Sequence, residues 1–423
     1  MKDRTWGAES DRFITDIEHR RFVRLGPAPK KYTKDGHRIT DPATTLKRVE
    51  PLCRVAGITR VADITGLDRV GIPVFSSIRP IAETGAVTVY NGKGATKDQA
   101  KVSAIMEGLE RYCAEVRDRR TIRDSVDSLL ASVNAVDPRD LILPKRTEMH
   151  IMYQPVAWVE GIELNEMEKV LVPASAVFHP YSSSRDLQLF RTNTNGLASG
   201  NSMEEAVLHG LCEVIERDAW SICEARRKAK ADLIMGSHMG VPSDLMDKFV
   251  SSGIEIHLKD LTSDIGIPTF GAAADDVQTR DPILLTMGIG THLSPEVVVI
   301  RALTEVAQSR LTQIHGARED TVKAKGRERL GYDRVKMMNK MWFSDSDIER
   351  DVGSVSGQDT LDIYEDIQIV LSRLKERGFK RAIAVDLTRE ELGIPVVRIV
   401  VPGMEVFSMD DERVGPRLLG GWA

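Results

Sequence analysis

Residues 100–111 read AKVSAIMEGLER and residues 206–217 read AVLHGLCEVIER. The two stretches share one frame, in which Ala100 is followed by Glu107, Glu110 and Arg111, and Ala206 by Glu213, Glu216 and Arg217 at the same offsets. At about 100° per residue, Val102, Ile105, Met106, Leu109, Tyr112 and Cys113 form one apolar stripe, and Val207, Leu208, Leu211, Val214 and Ile215 form another. Ser103, Glu107 and Glu110 stand opposite the first stripe; Asn201, Glu205, His209, Glu213 and Glu216 stand opposite the second. Each stretch opens on a capping pattern, Thr96-x-x-Gln99 and Ser202-x-x-Glu205, and each follows an Asn-Gly pair, Asn91-Gly92 and Asn195-Gly196. The spacing predicts two amphipathic helices related as an internal pseudo-repeat.

A third helix is predicted from Ser294-Pro295-Glu296, with Ser at the N-cap and Pro at the first helical position. Its polar face carries Arg301, Glu305 and Gln308, and Ile300, Leu303, Ala307 and Leu311 pack behind. Gly288 and Gly290 precede it, so an order of strand, glycine turn and helix occurs three times. Outward from these helices, Ile58 to Val74, interleaved with glycine and proline, reads as short strands. Residues 318–336 are charge-rich and 344–360 polar, a surface helix and a loop; residues 361–378 read as a helix, and 381–385 and 396–401 as strands. The expected class is α+β, with mixed β-sheets and long helices. Residues 1–50 are polar, with a basic run from His19 to Lys31 broken by Pro27 and Pro29, and read as a loosely packed N-terminal arm before a catalytic domain over 51–423.

The 423 residues, 42% hydrophobic and 29% charged, are enough for a substantial core and exclude disordered and fibrous classes. Lys+Arg 58 against Asp+Glu 63 leaves a net charge of -5, which gives no general attraction to nucleic acid or anionic lipid. No apolar run reaches the roughly 18 to 20 residues of a membrane helix, and the N-terminus lacks a signal-peptide core, so the cytoplasm is the expected location. Cys53, Cys113, Cys212 and Cys223 are too scattered for a disulfide framework or a zinc knuckle.

A single amphipathic helix ordinarily turns its carboxylates to water. Glu205 alone is explained as the partner of the Ser202 cap, and Glu110 beside Arg111 as a surface pair. Repetition argues for a shared site. Converging faces would set Glu107, Glu110, Glu205, Glu213 and Glu216 against one another and raise their pKa values unless cations lie between them. Hard oxygen ligands select Mg²⁺ or Mn²⁺, ions that share their shell with water and phosphates. Arg111, Arg217 and Arg301 can neutralise phosphate oxygens, and the helix starts supply N–H donors. A nucleotide site follows, without a Walker or Rossmann glycine pattern: Asn91-Gly92-Lys93-Gly94 is too short, and Lys93 alone is weak evidence. His209, one turn from Glu205 and Glu213, is read as a hydrogen-bonded structural residue or a proton shuttle, and Cys212 as a packed thiol.

The combined pattern resembles the YcaO superfamily: Gly92-Lys93-Gly94, Ser103-x3-Glu107-x2-Glu110, Asn201-x3-Glu205-x7-Glu213-x2-Glu216-Arg217, and Arg301-x3-Glu305-x2-Gln308. The likeness extends to Gly57 to Asp68, Gly71 to Val74 and Arg79-Pro80, from about residue 36 onward. It implies binding of ATP and Mg²⁺ by Ser103, Glu107, Glu110, Asn201, Glu205, Glu213, Glu216 and Arg217, completed by Arg301, Glu305 and Gln308, with the five glutamates up to Glu216 holding metal. The family's N-terminal basic and hydroxyl pair corresponds to Arg38 and Thr45, with an arginine where some members have lysine.

Members of the family use ATP to activate a peptide carbonyl oxygen that a nucleophile then replaces, giving an azoline, an amidine or a thioamide. The ending Gly415 to Ala423 has a single proline, Pro416, where azoline-forming members commonly carry a Pro-x-Pro-x-Pro tail. Together with Val401 to Glu405, it looks more like the TfuA-associated branch of methanogens. That branch implies thioglycine formation in the methyl-coenzyme M reductase alpha subunit, a TfuA-like partner, sulfide or a sulfur carrier, and a homodimer. The expected activity is therefore ATP-dependent peptide-backbone thioamidation. Its competitors are an azoline-forming cyclodehydratase, a non-catalytic nucleotide-binding scaffold and, more remotely, a carboxylate-bridged metal hydrolase.

Overall fold

The computed structural model describes residues 23–148, 151, 154–317 and 322–420. His19, Arg20 and Arg21 of the basic run lie outside them. Three sheets make up the β structure. The first is the antiparallel meander β1 (Arg60–Asp63), β2 (Val74–Ile78) and β3 (Val89–Lys93). The second contains β4 (Ile122–Asp124), β5 (Val156–Glu163), β6 (Lys169–Pro173), β7 (Leu197–Ser199), β13 (Ile383–Asp386) and β14 (Val396–Val400), and runs β4-β5-β13-β14-β7 with β6 paired to β5. The third runs β11-β10-β9-β8-β12, from β8 (Ala231–Ile234), β9 (Glu255–Asp260), β10 (Thr269–Asp275), β11 (Thr286–Thr291) and β12 (Glu349–Asp351).

Helix α1 (Pro42–Val49) lies in the N-terminal segment, α2 (Lys97–Ala114) follows β3, α3 (Met203–Arg226) follows β7, and α4 (Pro295–His315) follows β11. β3, β7 and β11 are each the terminal strand of their own sheet. The pseudo-repeat is thus a structural unit of edge strand and helix, used once per sheet. The glycines before the helices are not turn residues as expected. Gly92 lies within β3 and Gly288 within β11, and a Cβ on them would stand 1.9 Å from Ala104 N and 2.4 Å from Ala302 O. Their role is to let a helix backbone lie directly on its strand. Gly196 differs, since its φ of +77° is a left-handed conformation that favours glycine.

The α2 stripe, with Ile105 and Leu109 fully buried, belongs to the same apolar cluster as Trp158, Val172 and Val385. The α3 stripe packs on Ile399 and on Ile367 and Val370 of α5 (Ile363–Glu376), and the α4 stripe packs on Phe249 and Phe270. Each fully buried Leu or Val contributes about 1.5–3 kcal/mol relative to exposure. The charge-rich region forms helices Val322–Leu330 and Tyr332–Met338, and residues 318–321 are outside the described set.

Over residues 23–50 the N-terminal segment is packed, not loose. Gly26 N donates to Glu204 at 3.0 Å, Ala28 N to Asp362 at 2.9 Å and Ile39 N to Glu205 at 2.7 Å. The Lys30 ammonium meets the Asp366 carboxylate of α5 at 2.6 Å, with both side chains buried. Residues 26–41 form a strap across the starts of α3 and α5.

Candidate functional site

The polar faces of α2, α3 and α4, together with the strap, enclose one cavity of about 600 Å³. Ser103, Glu107 and Glu110 reach it from α2; Glu205, Glu213, Glu216 and Arg217 from α3, with Asn201 just ahead of that helix; Arg301, Glu305 and Gln308 from α4; and Arg38 and Thr45 from the strap and α1. All thirteen residues expected at the site line this one space.

The helix starts orient the glutamates. In α2, Thr96 accepts from Gln99 N and the Gln99 side chain accepts in return, a complete capping box. In α3, Ser202 accepts from Glu205 N at 3.3 Å, but the Glu205 carboxylate does not close the box. It accepts from Ile39 N at 2.7 Å, from Asn201 N at 2.8 Å and from Asn201 Nδ2 at 3.0 Å, which ties the strap to α3. Thr45 Oγ1 donates to Asn201 Oδ1 at 2.9 Å. The Ser294 cap expected for α4 makes no side-chain cap bond; its backbone N–H donates to His292 Nδ1 at 3.0 Å.

Within the cavity, Ser199 Oγ donates to Glu110 at 2.9 Å, and Gly196 N donates to Glu213 at 3.2 Å. Arg111 pairs with Glu107 one turn back, at 3.1 Å, and not with its sequence neighbour Glu110. Arg217 stands 3.6 Å from Glu216. Across the cavity Lys93 forms an ion pair with Glu305, and Gln308 Nε2 donates to the Asn91 carbonyl. His209, held neutral by burial and by the nearby Arg301, Arg38 and Lys93, accepts at Nδ1 from Arg301 at 3.3 Å.

Burial pushes the Glu110 carboxyl up to about 8, reinforced by Glu213 and Glu107 and opposed by Arg111 and Ser199. Burial likewise pushes Glu216 up to about 7, with Glu305 and Glu213 adding to it and Arg217 and Arg301 opposing. The same burial acts on Glu305, but the Lys93 ammonium and the Arg217 and Arg301 guanidinium groups outweigh it and hold Glu305 below the usual carboxylate range. The expected mutual repulsion of the glutamates is thus felt at Glu110 and Glu216.

Several polar atoms here are buried without a partner: Glu216 Oε2, Arg111 Nε, Arg217 Nε and Arg301 Nε. Orphaned acidic and basic groups side by side are what a metal-bound polyphosphate satisfies, with cations against the carboxylate and phosphate oxygens against the guanidinium groups. The residues therefore fit Mg²⁺ and a nucleotide. The five glutamates do not gather into a close trio of ligand atoms. This suits Mg²⁺, which keeps waters and phosphate oxygens in its shell. Among the described residues the trio whose ligand atoms lie within 4.8 Å of one another is Glu255, His257 and Asp275, away from the cavity, and Asp275 already accepts from Tyr332 and Lys336.

The sequence reading undervalued Lys93, although its Gly-Lys-Gly setting was visible. Asn91 was marked only as part of an Asn-Gly pair, and Ser199 and His37, which also line the cavity, carry no local mark, since they reach it only across the fold. The four cysteines are free and none lines the cavity; burial pushes the Cys113, Cys212 and Cys223 thiols up to about 12.

A family model described as YcaO cyclodehydratase, ATP- and Mg²⁺-binding, matches residues 91–405. The chain is 50% identical over 379 residues to an uncharacterized protein of Methanothermobacter thermautotrophicus, covering 89% of this chain and 97% of that one. It is 33% identical over 380 residues to an uncharacterized protein in the tfuA 3′ region of Rhizobium leguminosarum bv. trifolii, covering 87% and 89%. Among solved structures, YcaO from Methanopyrus kandleri, bound with AMPPCP and Mg²⁺, matches with a TM-score of 0.77 at 32% identity, over 92% of this chain and 98% of that chain. A heterocyclase solved with substrate and cofactor shares the fold, with a TM-score of 0.78 at 22% identity over 92% of this chain and 55% of that one.

Proposed function

The chain belongs to the YcaO family, and from that premise we propose that it is an ATP- and Mg²⁺-dependent enzyme that replaces a peptide carbonyl oxygen with sulfur. The observation that carries this reading is the meeting of acidic and basic side chains from three helices and the strap in one cavity, with unsatisfied polar atoms on both sides. ATP with Mg²⁺ supplies the phosphoryl group that turns the amide oxygen into a leaving group. Glu107, Glu110, Glu205, Glu213 and Glu216 would hold the cations. Arg38, Arg217 and Arg301 would meet phosphate oxygens, with Thr45, Ser103, Asn201 and Gln308 as uncharged partners, and Lys93 would keep Glu305 ionised. The balance is amide, hydrosulfide and ATP to thioamide, ADP and phosphate.

Two features support an external sulfur nucleophile and the TfuA-associated branch. Cys113, Cys212 and Cys223 are buried, protonated and outside the cavity lining, which makes them poor sulfur relays, and the relatives include a protein in a tfuA 3′ region. In this reading the substrate is a glycine of the methyl-coenzyme M reductase alpha subunit, sulfide or a sulfur carrier is the donor, a TfuA-like protein is the partner, and the enzyme works in the cytoplasm as a homodimer. The family description favours a second reading, azoline formation.

Mass spectrometry separates the two after incubation with ATP, sulfide and a peptide from that alpha subunit. Replacement of oxygen by sulfur at glycine is expected; loss of water at a Cys, Ser or Thr would establish the cyclodehydratase instead. Glu213→Ala is expected to abolish product, and full product formation in a variant that no longer binds nucleotide would leave only a scaffold.

A further inference from the structure

Arg398 is a guanidinium in the middle of a sheet. It sits on β14, opposite Leu197 of β7 on one side and Val385 of β13 on the other, and is 4% exposed. Val396 and Val400, which share its face of the strand, belong to the apolar cluster beneath α2. Nη2 donates to Asn193 Oδ1 at 3.4 Å, while Nε and Nη1 are buried without a partner. A guanidinium with two unpartnered nitrogens is costly in such a place, even with carboxylates near enough to offset part of its charge.

Two other orphans belong to the same neighbourhood. Asn195, 8% exposed, shares Asn193 Oδ1 through its backbone N–H at 3.0 Å, and its own Oδ1 is buried and unpartnered. Arg111, whose Nε is unpartnered, lines the cavity, as do Thr194 and Leu197; Asn195, between them in the chain, and Arg398, paired with Leu197, lie immediately behind that lining. Gly196, between Asn195 and the Leu197 that pairs with Arg398, donates its N–H to Glu213 at 3.2 Å, so the group lies on the Glu213 side of the cavity.

We propose that Arg398 and Asn195 bind the reacting peptide amide, the guanidinium donating to its carbonyl oxygen and Asn195 Oδ1 accepting from its N–H. This rests on the reading that the enzyme acts on a peptide bond. The choice of ligand follows from the orphans themselves, which include donors and an acceptor, the complement of an amide. A bare anion such as hydrosulfide would satisfy the donors but set its charge against Asn195 Oδ1.

The test uses the full chain with Mg²⁺ and AMPPCP, and acetyl-triglycine methylamide as the probe. Nucleotide affinity is measured by calorimetry and probe affinity by saturation-transfer NMR, for the wild type, Arg398→Lys, Arg398→Met and Asn195→Ala. Nucleotide affinity is expected to hold in every variant. Probe affinity is expected to fall roughly tenfold or more in Arg398→Met, the loss of a hydrogen bond to a charged group, with Asn195→Ala weakened and Arg398→Lys between. Should Arg398→Met not fold, the lysine and alanine variants carry the test. Unchanged probe binding in folded variants overturns the subsite, and so does nucleotide affinity that falls with it, which would put Arg398 on the triphosphate. Displacement of the probe by hydrosulfide, with Asn195→Ala behaving as wild type, would make it an anion site. Wild-type protein that binds nucleotide and no probe would instead sink the amide substrate itself, and the subsite with it.

Discussion

At pH 7 the carboxyls of Glu110 and Glu216 are protonated in a large share of molecules, since burial pushes them up to about 8 and about 7. Cations bind the ionised form, so the affinity for Mg²⁺ and nucleotide should rise as pH passes through both values, with protons released. Calorimetry in buffers of different ionisation enthalpy measures that release. The stability of the free protein should run the other way. Between the ordinary glutamate value of 4.5 and these raised values, the folded chain holds protons that the unfolded chain has lost, so the unfolding free energy falls as pH rises. Glu216→Gln should flatten that dependence in denaturant titrations while weakening Mg²⁺ and nucleotide binding about tenfold or more, the scale of one charge-assisted contact. At Lys93 the opposite logic holds. Lys93→Met removes the nearest of the three cations that hold Glu305 ionised, so its carboxyl should titrate higher and nucleotide binding should become more pH-dependent.

Each strand and helix unit depends on a backbone contact that a single methyl group would block. Gly92→Ala brings a Cβ to 1.9 Å from Ala104 N, with backbone on both sides, and should cost about 1–3 kcal/mol or more in urea unfolding. Gly66→Ala meets nothing within 4 Å and serves as the neutral control. The caps divide in the same way. Ser202→Ala removes a bond that Glu205 N makes at 3.3 Å and should cost about 1 kcal/mol. Ser294→Ala removes no side-chain cap bond and should cost a few tenths at most. Helix α4 starts where Pro295 sets the backbone, so its first turn is held without the serine hydroxyl.

Across the whole molecule the strap couples the fold to the cavity. Lys30 and Asp366 form a buried pair, with side-chain exposures of 1% and 0%, and Lys30→Met should cost about 3–5 kcal/mol by leaving the carboxylate without a cation, held only by the Thr360 N–H at 2.7 Å. Because the same segment carries Arg38 and leads into Thr45, nucleotide affinity should fall with it, and limited proteolysis should then cut between residues 24 and 41. Three amphipathic helices, their starting residues and the α+β class were legible in the sequence, since Glu107, Glu110 and the Ile105–Leu109 stripe follow from spacing along a single helix. So were thirteen of the residues that line the cavity, because repetition or family likeness marked them, whereas Ser199 and His37 reach it only across the fold. Gly92 and Gly288 look like turn residues in the sequence, since a sequence displays a missing side chain but not the helix that needs the room. The strap looks loose in the sequence because Lys30 and Asp366 are 336 positions apart and resemble surface charges until they meet. What the chain determined by itself is local, set by backbone periodicity and capping. That three edge strands from three sheets aim their helices at one space, that Lys93 reaches Glu305, and that Arg398 is buried with unsatisfied nitrogens was decided by long-range packing, because desolvation and charge pairing depend on which distant groups share a volume.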